Sequence, residues 1–398
     1  MACFRADFLG CKVSHVDVQE VRERLLADGH EEASDADVAV ISTCCVTNEA
    51  LAKSRKAAAR AARTCAKVYV TGCGANLAGD AFAGLPANVV VVARRAEETA
   101  QVVADDLGAI GCVQADARLD RVRAFVKIQD GCSFSCAFCV IPLVRGASRS
   151  RPAGAVLAEI ARRVAQGHRE VVLTGINLGC FRDRAADYDL PRLVREAAAT
   201  PGLARLRLSS IEINHVDRDL VAALRESPTV ARHLHVPLQS GDDGVLRAMG
   251  RRYTTKTYRD RLALLDDDFN LTTDVIVGFP AEDDQAFGRT VQTLREAGIA
   301  RVHVFPYSPR PGTRTATSDA VPPSVKKNRV AELRALSAEL ERRHWATKLG
   351  REDVVLVDRP GRGYGDDYSP FLVDAPVGDL VRVRAQALTE EGILAVAA

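Results

Sequence analysis

The chain has 398 residues, 47% hydrophobic and 27% charged, enough for two or three domain-sized cores. No apolar run approaches the roughly 20 residues that a bilayer-spanning helix needs, which sets aside an integral membrane protein. The net charge of +2 alone points to no nucleic-acid or acidic partner, and MACFRADFLGCKVSH at the N-terminus has no basic stretch leading into an apolar one, so a cytoplasmic protein is expected.

The first 100 residues read as alternating strand and helix. DVAVISTC (37–44), KVYVTGC (67–73) and NVVVVA (88–93) are apolar, β-branched runs, and helical stretches such as VQEVRERLLADGH lie between them. That pattern predicts a parallel sheet covered by helices. Between the second and third cysteine-bearing segments, Lys53, Lys56, Arg60, Arg63 and Lys67 step by three and four among alanines. This spacing predicts one basic face of a helix, either solvated or laid against the phosphates of a nucleic acid.

A second series begins near Ala124. AFVKIQ, EVVLTG, LARLRLSS, HLHVPL, TTDVIVGFP and RVHVFPYS are strand candidates, separated by helical patterns such as AVLAEIARRVAQGH and QAFGRTVQTLREAG. Six successive βα units predict a barrel or partial barrel. The series leaves through the proline-rich PYSPRPGTRTATSDAVPPS and a helix from Ser324 to about Leu349. The acidic remainder, with short alternating runs and Gly-rich turns, predicts a small antiparallel barrel or sandwich. The fold class expected is therefore α/β, with a parallel-sheet domain at 1–115, a (β/α)6 partial barrel at 116–345 and a small all-β domain at 346–398.

Eleven cysteines are present, an odd number that does not suit a disulfide framework in a reducing compartment. The densest group is GCSFSCAFC, with Cys132, Cys136 and Cys139 just after the first strand of the barrel series. A structural zinc site wants four ligands. Three thiols without an evident fourth suit a 4Fe-4S cluster with one iron open to a ligand, a zinc knuckle being the alternative. Cys11, Cys44 and Cys73 each end a strand-like run. In a parallel sheet those ends share one edge, so the three either converge on a second cluster or are separate core thiols.

A cysteine-x3-cysteine-x2-cysteine loop after the first strand of a six-unit barrel, with Phe138 before its third cysteine, resembles the radical S-adenosylmethionine (SAM) superfamily. GCKV (10–13), TCCVT (43–47), KSR (53–55), TGC (71–73), PLVRGASRSR (142–151), SSIE (209–212), HVPLQSGDDGVLRAMGRRYT (235–254), TDVIVGFPAE (273–282) and HVFPYSPRPGT (303–313) together resemble the methylthiotransferases, over essentially the whole chain. The tail resembles their TRAM domain. The resemblance implies two 4Fe-4S clusters, one on Cys132, Cys136 and Cys139 and an auxiliary one on Cys11, Cys44 and Cys73. It also implies SAM contacts at the C-terminal strand ends, where Gly175, Asn177, Ser210, Glu212, Gln239, Ser240, Gly278 and Glu282 fall, although such positions equally suit turn residues or helix caps.

Among the family's branches, the chain is most similar to the one acting on threonylcarbamoyladenosine in tRNA. The others modify isopentenyladenosine in tRNA or an aspartate of a ribosomal protein. Ser14, Ser42, Cys45 and Ile213 depart from the branch pattern. The implied reaction uses two SAM molecules, one as methyl donor and one cleaved to a radical that removes hydrogen from C2 of the adenine. The implied partners are tRNA, a one-electron donor and a sulfur source, the last two identified by no motif. Lys53, Lys56, Arg60, Arg63 and Lys67, with Arg145, Arg149 and Arg151 after the cysteine loop, are the candidate tRNA contacts. Cys3, Cys65, Cys112 and Cys180 match no ligand position. The rivals from other classes are a non-catalytic iron–sulfur electron carrier and a zinc-dependent RNA-binding module.

Overall fold

A computed structural model describes residues 2–77, 81–108, 122–265 and 268–398. Cys112 lies outside the described residues. The chain divides into two compact units. The first comprises Met1–Arg118, Asp130–Arg149 and Ser308–Ser318, and the second Leu119–Gln129, Ser150–Tyr307 and Asp319–Ala398.

The first unit holds a five-stranded, all-parallel sheet. In chain order its elements are β1 (Cys3–Phe8), α1 (Lys12–Ala27), β2 (Glu31–Glu32), β3 (Val38–Thr43), α2 (Asn48–Ala61), β4 (Lys67–Gly72), β5 (Val89–Val91) and α3 (Ala96–Leu107). The strands lie in the order β2-β1-β3-β4-β5. β3 is buried along its whole length, as a central strand with both faces covered must be. Its side chains alternate. Val38 and Val40 pack with Phe4, Val21, Leu25, Tyr69 and Val103 on one face. Ala39 and Ile41 pack with Ala58, Ala61, Val68 and Val70 on the other. The same unit carries α4 (Ile141–Arg145).

The second unit contains the barrel series. Its strands are β6 (Arg123–Lys127), β7 (Glu170–Thr174), β8 (Arg205–Leu208), β9 (His233–His235), β10 (Asn270–Val277) and β11 (Ile299–Pro306). They form two parallel three-stranded sheets, β6-β7-β8 and β9-β10-β11. Single parallel bridges, Leu206 with Val230 and Ser210 with His235, join one sheet to the next. The result is the expected six-stranded partial barrel. Between the strands run α5 (Ala153–Ala165), α6 (Leu190–Ala198), α7 (Arg218–Glu226), α8 (Asp243–Ala248), α9 (Thr255–Leu262) and α10 (Asp284–Glu296), with α11 (Pro323–Ala346) after the last strand. Alternate strand residues, including Val126, Val171, Leu173, Leu206, Leu208, Val275 and Val277, join the helices in one large core. Asp189, Asp217, Asp242, Thr254 and Asp283 each cap a helix through the side chain, satisfying amide groups that have no partner inside the helix.

A closed five-stranded barrel completes this unit: β12 (Glu352–Arg359), β13 (Arg362–Tyr364), β14 (Pro370–Leu372), β15 (Leu380–Leu388) and β16 (Ile393–Ala397). Trp345, at the end of α11, enters its core beside Val355, Phe371 and Ile393. Closure removes free strand edges. The small barrel is held to the starts of β6, β7 and β8 by ion pairs and backbone contacts. Glu170, fully buried, receives Arg123 at 2.9 Å, Arg205 at 3.1 Å and Arg207 at 2.9 Å. Arg205 and Arg207 then donate to the carbonyls of Tyr364, Val354, Asp366 and Gly365. Among the described residues, no helix is long and apolar enough to cross a membrane.

Candidate metal centre

Because β1, β3 and β4 run parallel, their C-terminal ends share one edge of the sheet, the edge at which such sheets bind ligands. Each strand hands the chain to one cysteine of the first triad. Cys11 follows β1 and starts α1, Cys44 follows β3, and Cys73 follows β4. The approach is close. A side chain at Gly10 would meet Cys44 Cβ at 3.2 Å, and one at Gly72, whose φ is +85°, would meet the Thr43 carbonyl at 2.9 Å. Ser54, of the KSR segment, fixes the Cys44 backbone from both sides: the Cys44 amide donates to its hydroxyl at 3.1 Å, and the hydroxyl donates to the Cys44 carbonyl at 3.2 Å. Cys11 is exposed, while Cys44 and Cys73 are buried.

Burial pushes the Cys44 and Cys73 thiols up from the ordinary cysteine range, the nearby Cys11 thiol adds to the shift in both, and Arg145 opposes it. Cys45, the extra thiol of TCC, is fully buried. It donates to the Cys73 carbonyl at 3.2 Å, and burial pushes it up to about 12. It packs with Cys73, Leu77, Val140 and Val144.

The second triad belongs to the same compact unit. Asp130 accepts the Gly131 amide at 2.7 Å, and the Cys132 amide donates to the Gly146 carbonyl at 3.0 Å. The Phe134 amide donates to Cys132 Sγ at 3.4 Å, and the Cys139 amide closes a turn onto the Cys136 carbonyl at 3.2 Å. Cys132, Cys136 and Cys139 are all partly exposed, and Cys139 lies near enough to Cys45 to act on its thiol electrostatically. Gly131, at φ +67°, leaves no room for a side chain, since a Cβ would stand 2.2 Å from the Ala147 carbonyl. Gly131→Ala is therefore expected to cost about 2–3 kcal/mol from backbone strain and clash, read as a lower urea midpoint of the full chain. Among the described residues no three Cys, His, Asp or Glu side chains stand close enough together to hold a single metal ion.

Arg145 was expected among the phosphate contacts, and the structure corrects this. It is buried at the end of α4. Its guanidinium donates to Cys73 Sγ at 3.0 Å, to both Asp130 oxygens at 3.1 and 3.3 Å, and to Asp17 at 2.7 Å. Burial works against its charge, but Asp17, the Cys73 thiol and Asp130 more than compensate and hold it firmly protonated. Arg149 leans on the same Asp130 at 3.1 Å and on the Arg145 carbonyl. Arg151 pairs with Glu159 at 2.6 Å and bonds the Lys127 carbonyl.

The basic stripe is shorter than expected. α2 ends at Ala61, so Lys53, Lys56 and Arg60 share its exposed surface, while Arg63 lies in the following turn and Lys67 opens β4. Pairing of Lys67 with Val38 sets the start of β4, and Lys67 also meets Asp106. Lys53 pairs with Glu49 at 2.7 Å on the exposed surface.

The eight candidates at barrel strand ends fall into two kinds. Ser240 and Glu282 make internal bonds. Ser240, fully buried, accepts the Asp242 amide at 3.2 Å. Glu282 accepts the Gly278 amide at 2.7 Å and Arg329 at 2.7 Å, and burial pushes its carboxyl up despite that pairing. Gly278 itself, at φ +73°, packs against Lys326, and Glu212 caps the turn at Asn214. The others stand differently. A Cβ at Gly175 would lie 2.9 Å from the Gln129 carbonyl. The Asn177 amide donates to Gln129 Oε1 at 2.8 Å, while its buried Oδ1 has no partner among the described residues. Ser210 bridges to His235, and Gln239, at φ +68°, bridges to Val275. Sequence reasoning missed Asp130, which joins Arg145 and Arg149 of the following segment, and Asp17 and Arg310, whose partners are remote in the chain.

Comparison with known proteins agrees with this architecture. The Radical SAM superfamily profile matches residues 126–304, and that of "Uncharacterized protein family UPF0004" matches residues 4–93. Threonylcarbamoyladenosine tRNA methylthiotransferase MtaB of Thermotoga maritima is 33% identical, over 99% of this chain and 96% of its own length. MtaB of Bacillus subtilis is 35% identical, over 96% and 94%. The tRNA-2-methylthio-N(6)-dimethylallyladenosine synthase of Paracoccus denitrificans is 34% identical, over 94% and 92%. Among solved structures, the radical SAM methyltransferase TsrM from Kitasatospora setae has the same fold over 79% of this chain and 77% of its own, with a TM-score of 0.58 at 13% identity. The chain belongs to the radical SAM tRNA methylthiotransferases, enzymes that use S-adenosylmethionine and 4Fe-4S chemistry.

Proposed function

We propose that the chain methylthiolates C2 of N6-threonylcarbamoyladenosine in tRNA, with one 4Fe-4S cluster on Cys132, Cys136 and Cys139 and an auxiliary cluster on Cys11, Cys44 and Cys73. The observation that supports this reading is that both triads lie in one compact unit, with Cys11, Cys44 and Cys73 following the C-terminal ends of three parallel strands. Three thiols per group suit a cube with one iron left for a ligand. When bound, these groups and SAM supply the one-electron cleavage of SAM and the methylthio group.

The chain's own residues do the rest. Arg145 places a fixed positive charge on Cys73 Sγ, favouring the thiolate that iron requires. Ser54 and Gly72 hold the turns that present Cys44 and Cys73. Cys45, whose thiol bonds the Cys73 carbonyl, is left out of the assigned ligands. In the second unit, Asn177 and the backbone near Gly175 and Gln239, at barrel strand ends, are assigned to SAM, while Ser240, Gly278 and Glu282 bond within their own loops. Lys53, Lys56 and Arg60 offer the exposed cations for tRNA phosphates.

The 34% identity to the dimethylallyladenosine enzyme keeps that nucleoside as the second reading. Mass spectrometry of nucleosides decides between them. The reconstituted, reduced enzyme is incubated with tRNA bearing each modification, and 2-methylthio-threonylcarbamoyladenosine is the expected product. Methylthiolation of the dimethylallyl tRNA alone would reverse the assignment.

A further inference from the structure

Residues 308–315 touch both cysteine loops. At one end Arg310, only 2% exposed, donates to the Cys45 carbonyl at 3.1 Å, to Ser308 Oγ at 3.1 Å, to the Pro309 carbonyl at 2.8 Å and to Asn48 Oδ1. Asn48 returns the contact, its amide donating to Ser308 Oγ at 3.2 Å. These bonds pin the segment to the turn just after Cys44. At the other end Arg314 donates to the Ser135 carbonyl at 2.7 Å, and Thr315 donates to the Ala137 carbonyl through its hydroxyl at 3.1 Å and its amide at 3.2 Å. Ser135 and Ala137 flank Cys136. In between, Gly312, at φ +79°, comes so close to Leu143 that a Cβ would lie 2.8 Å from it. Thr313 ties the turn internally to the Arg310 carbonyl at 2.8 Å.

We infer that residues 308–315 are a strap that sets the separation of the two cysteine triads, with Arg310 as its positioning residue. A buried guanidinium with four acceptors has one low-energy pose, so the Cys45 end is rigid. The two bonds of Thr315 make the Ala137 end equally defined. Two groups that must act on one substrate atom are sensitive to small misplacements, and a strap bonded to the backbone of both loops holds their spacing.

This inference rests on the two-triad reading above, and the test separates the two. Full-length wild-type chain, Arg310→Ala and Arg314→Ala are compared. Hydrogen exchange is measured on the chains without iron. Products are measured after anaerobic reconstitution and incubation with SAM, dithionite and the modified tRNA. Arg310→Ala is expected to speed exchange at the Asn48 and Thr315 amides, keep its iron, and make about tenfold less methylthio nucleoside per 5′-deoxyadenosine released. A role confined to folding would lower both products and the iron in parallel, and that result, or an unchanged ratio, overturns the inference. Should Arg310→Ala fail to fold, Arg314→Ala decides by the same ratio, because its side chain is exposed. A wild-type chain that takes up only one cluster or yields no methylthio product refutes the two-triad reading instead, whatever the exchange data show.

Discussion

Cys73→Ala is expected to halve the iron of the reconstituted enzyme, from about eight to about four per chain, and to abolish methylthio product while SAM cleavage persists. Cys136→Ala should also leave about four irons but should stop both reactions. The asymmetry follows from the separation of tasks: one triad is assigned to SAM cleavage and the other to the sulfur that is transferred. Iron assay, release of 5′-deoxyadenosine and nucleoside mass spectrometry on the same samples check all three consequences. The substitution also removes the acceptor of Arg145 Nε, but the guanidinium keeps Asp17 and Asp130, so the sheet edge should hold. Cys45→Ala is the control. Its thiol bonds the Cys73 carbonyl, and iron content should stay at about eight. Loss of SAM cleavage in Cys73→Ala would show that the two triads are not functionally separate.

Much of this was legible in the residues. β-branched runs such as VAVIST mark the central strand β3, and the six barrel strands begin within two residues of the expected starts, because burial on both faces leaves an unbroken apolar signal. The sharing of an edge by Cys11, Cys44 and Cys73 followed from parallel topology alone. What failed was side-chain direction. Arg145 sits in a run of arginines that reads as a phosphate-binding segment, yet its carboxylate partner Asp17 is 128 positions away. No local pattern reveals that pairing. Arg310 is likewise fixed by Cys45 and Asn48, more than 260 positions distant. Glu282 is a candidate by its place at a strand end, where the resemblance implies SAM contacts, and its bonds to the positive-φ Gly278 and to Arg329 could not be read from that position. The stripe from Lys53 to Lys67 kept its helical spacing on paper past the point where β-sheet pairing takes over, since strand register is a tertiary property.

Glu170→Gln is expected to cost about 3–5 kcal/mol, because it leaves three buried guanidinium groups around a neutral amide. Glu170 is fully buried. Burial alone would raise its carboxyl, but Arg207, Arg123 and Arg205 together bring it below its ordinary value of 4.5. A carboxyl lowered in this way stabilises the fold fully above 4.5, and the contribution is lost as pH falls through the folded-state value. The wild-type chain should therefore lose stability on acidification through that window, and Glu170→Gln should lose less, so their urea midpoints converge at low pH. The damage should also have a direction. Arg205 and Arg207 reach the carbonyls of Val354, Tyr364, Gly365 and Asp366 from their positions against Glu170, so the variant should loosen the C-terminal barrel before the parallel sheet of the other unit. Limited proteolysis would then release a fragment cut near the end of α11, with iron uptake by the remaining chain intact. Midpoints that stay equally far apart from pH 7 to pH 3 would show that the carboxylate charge is not what holds the barrel in place.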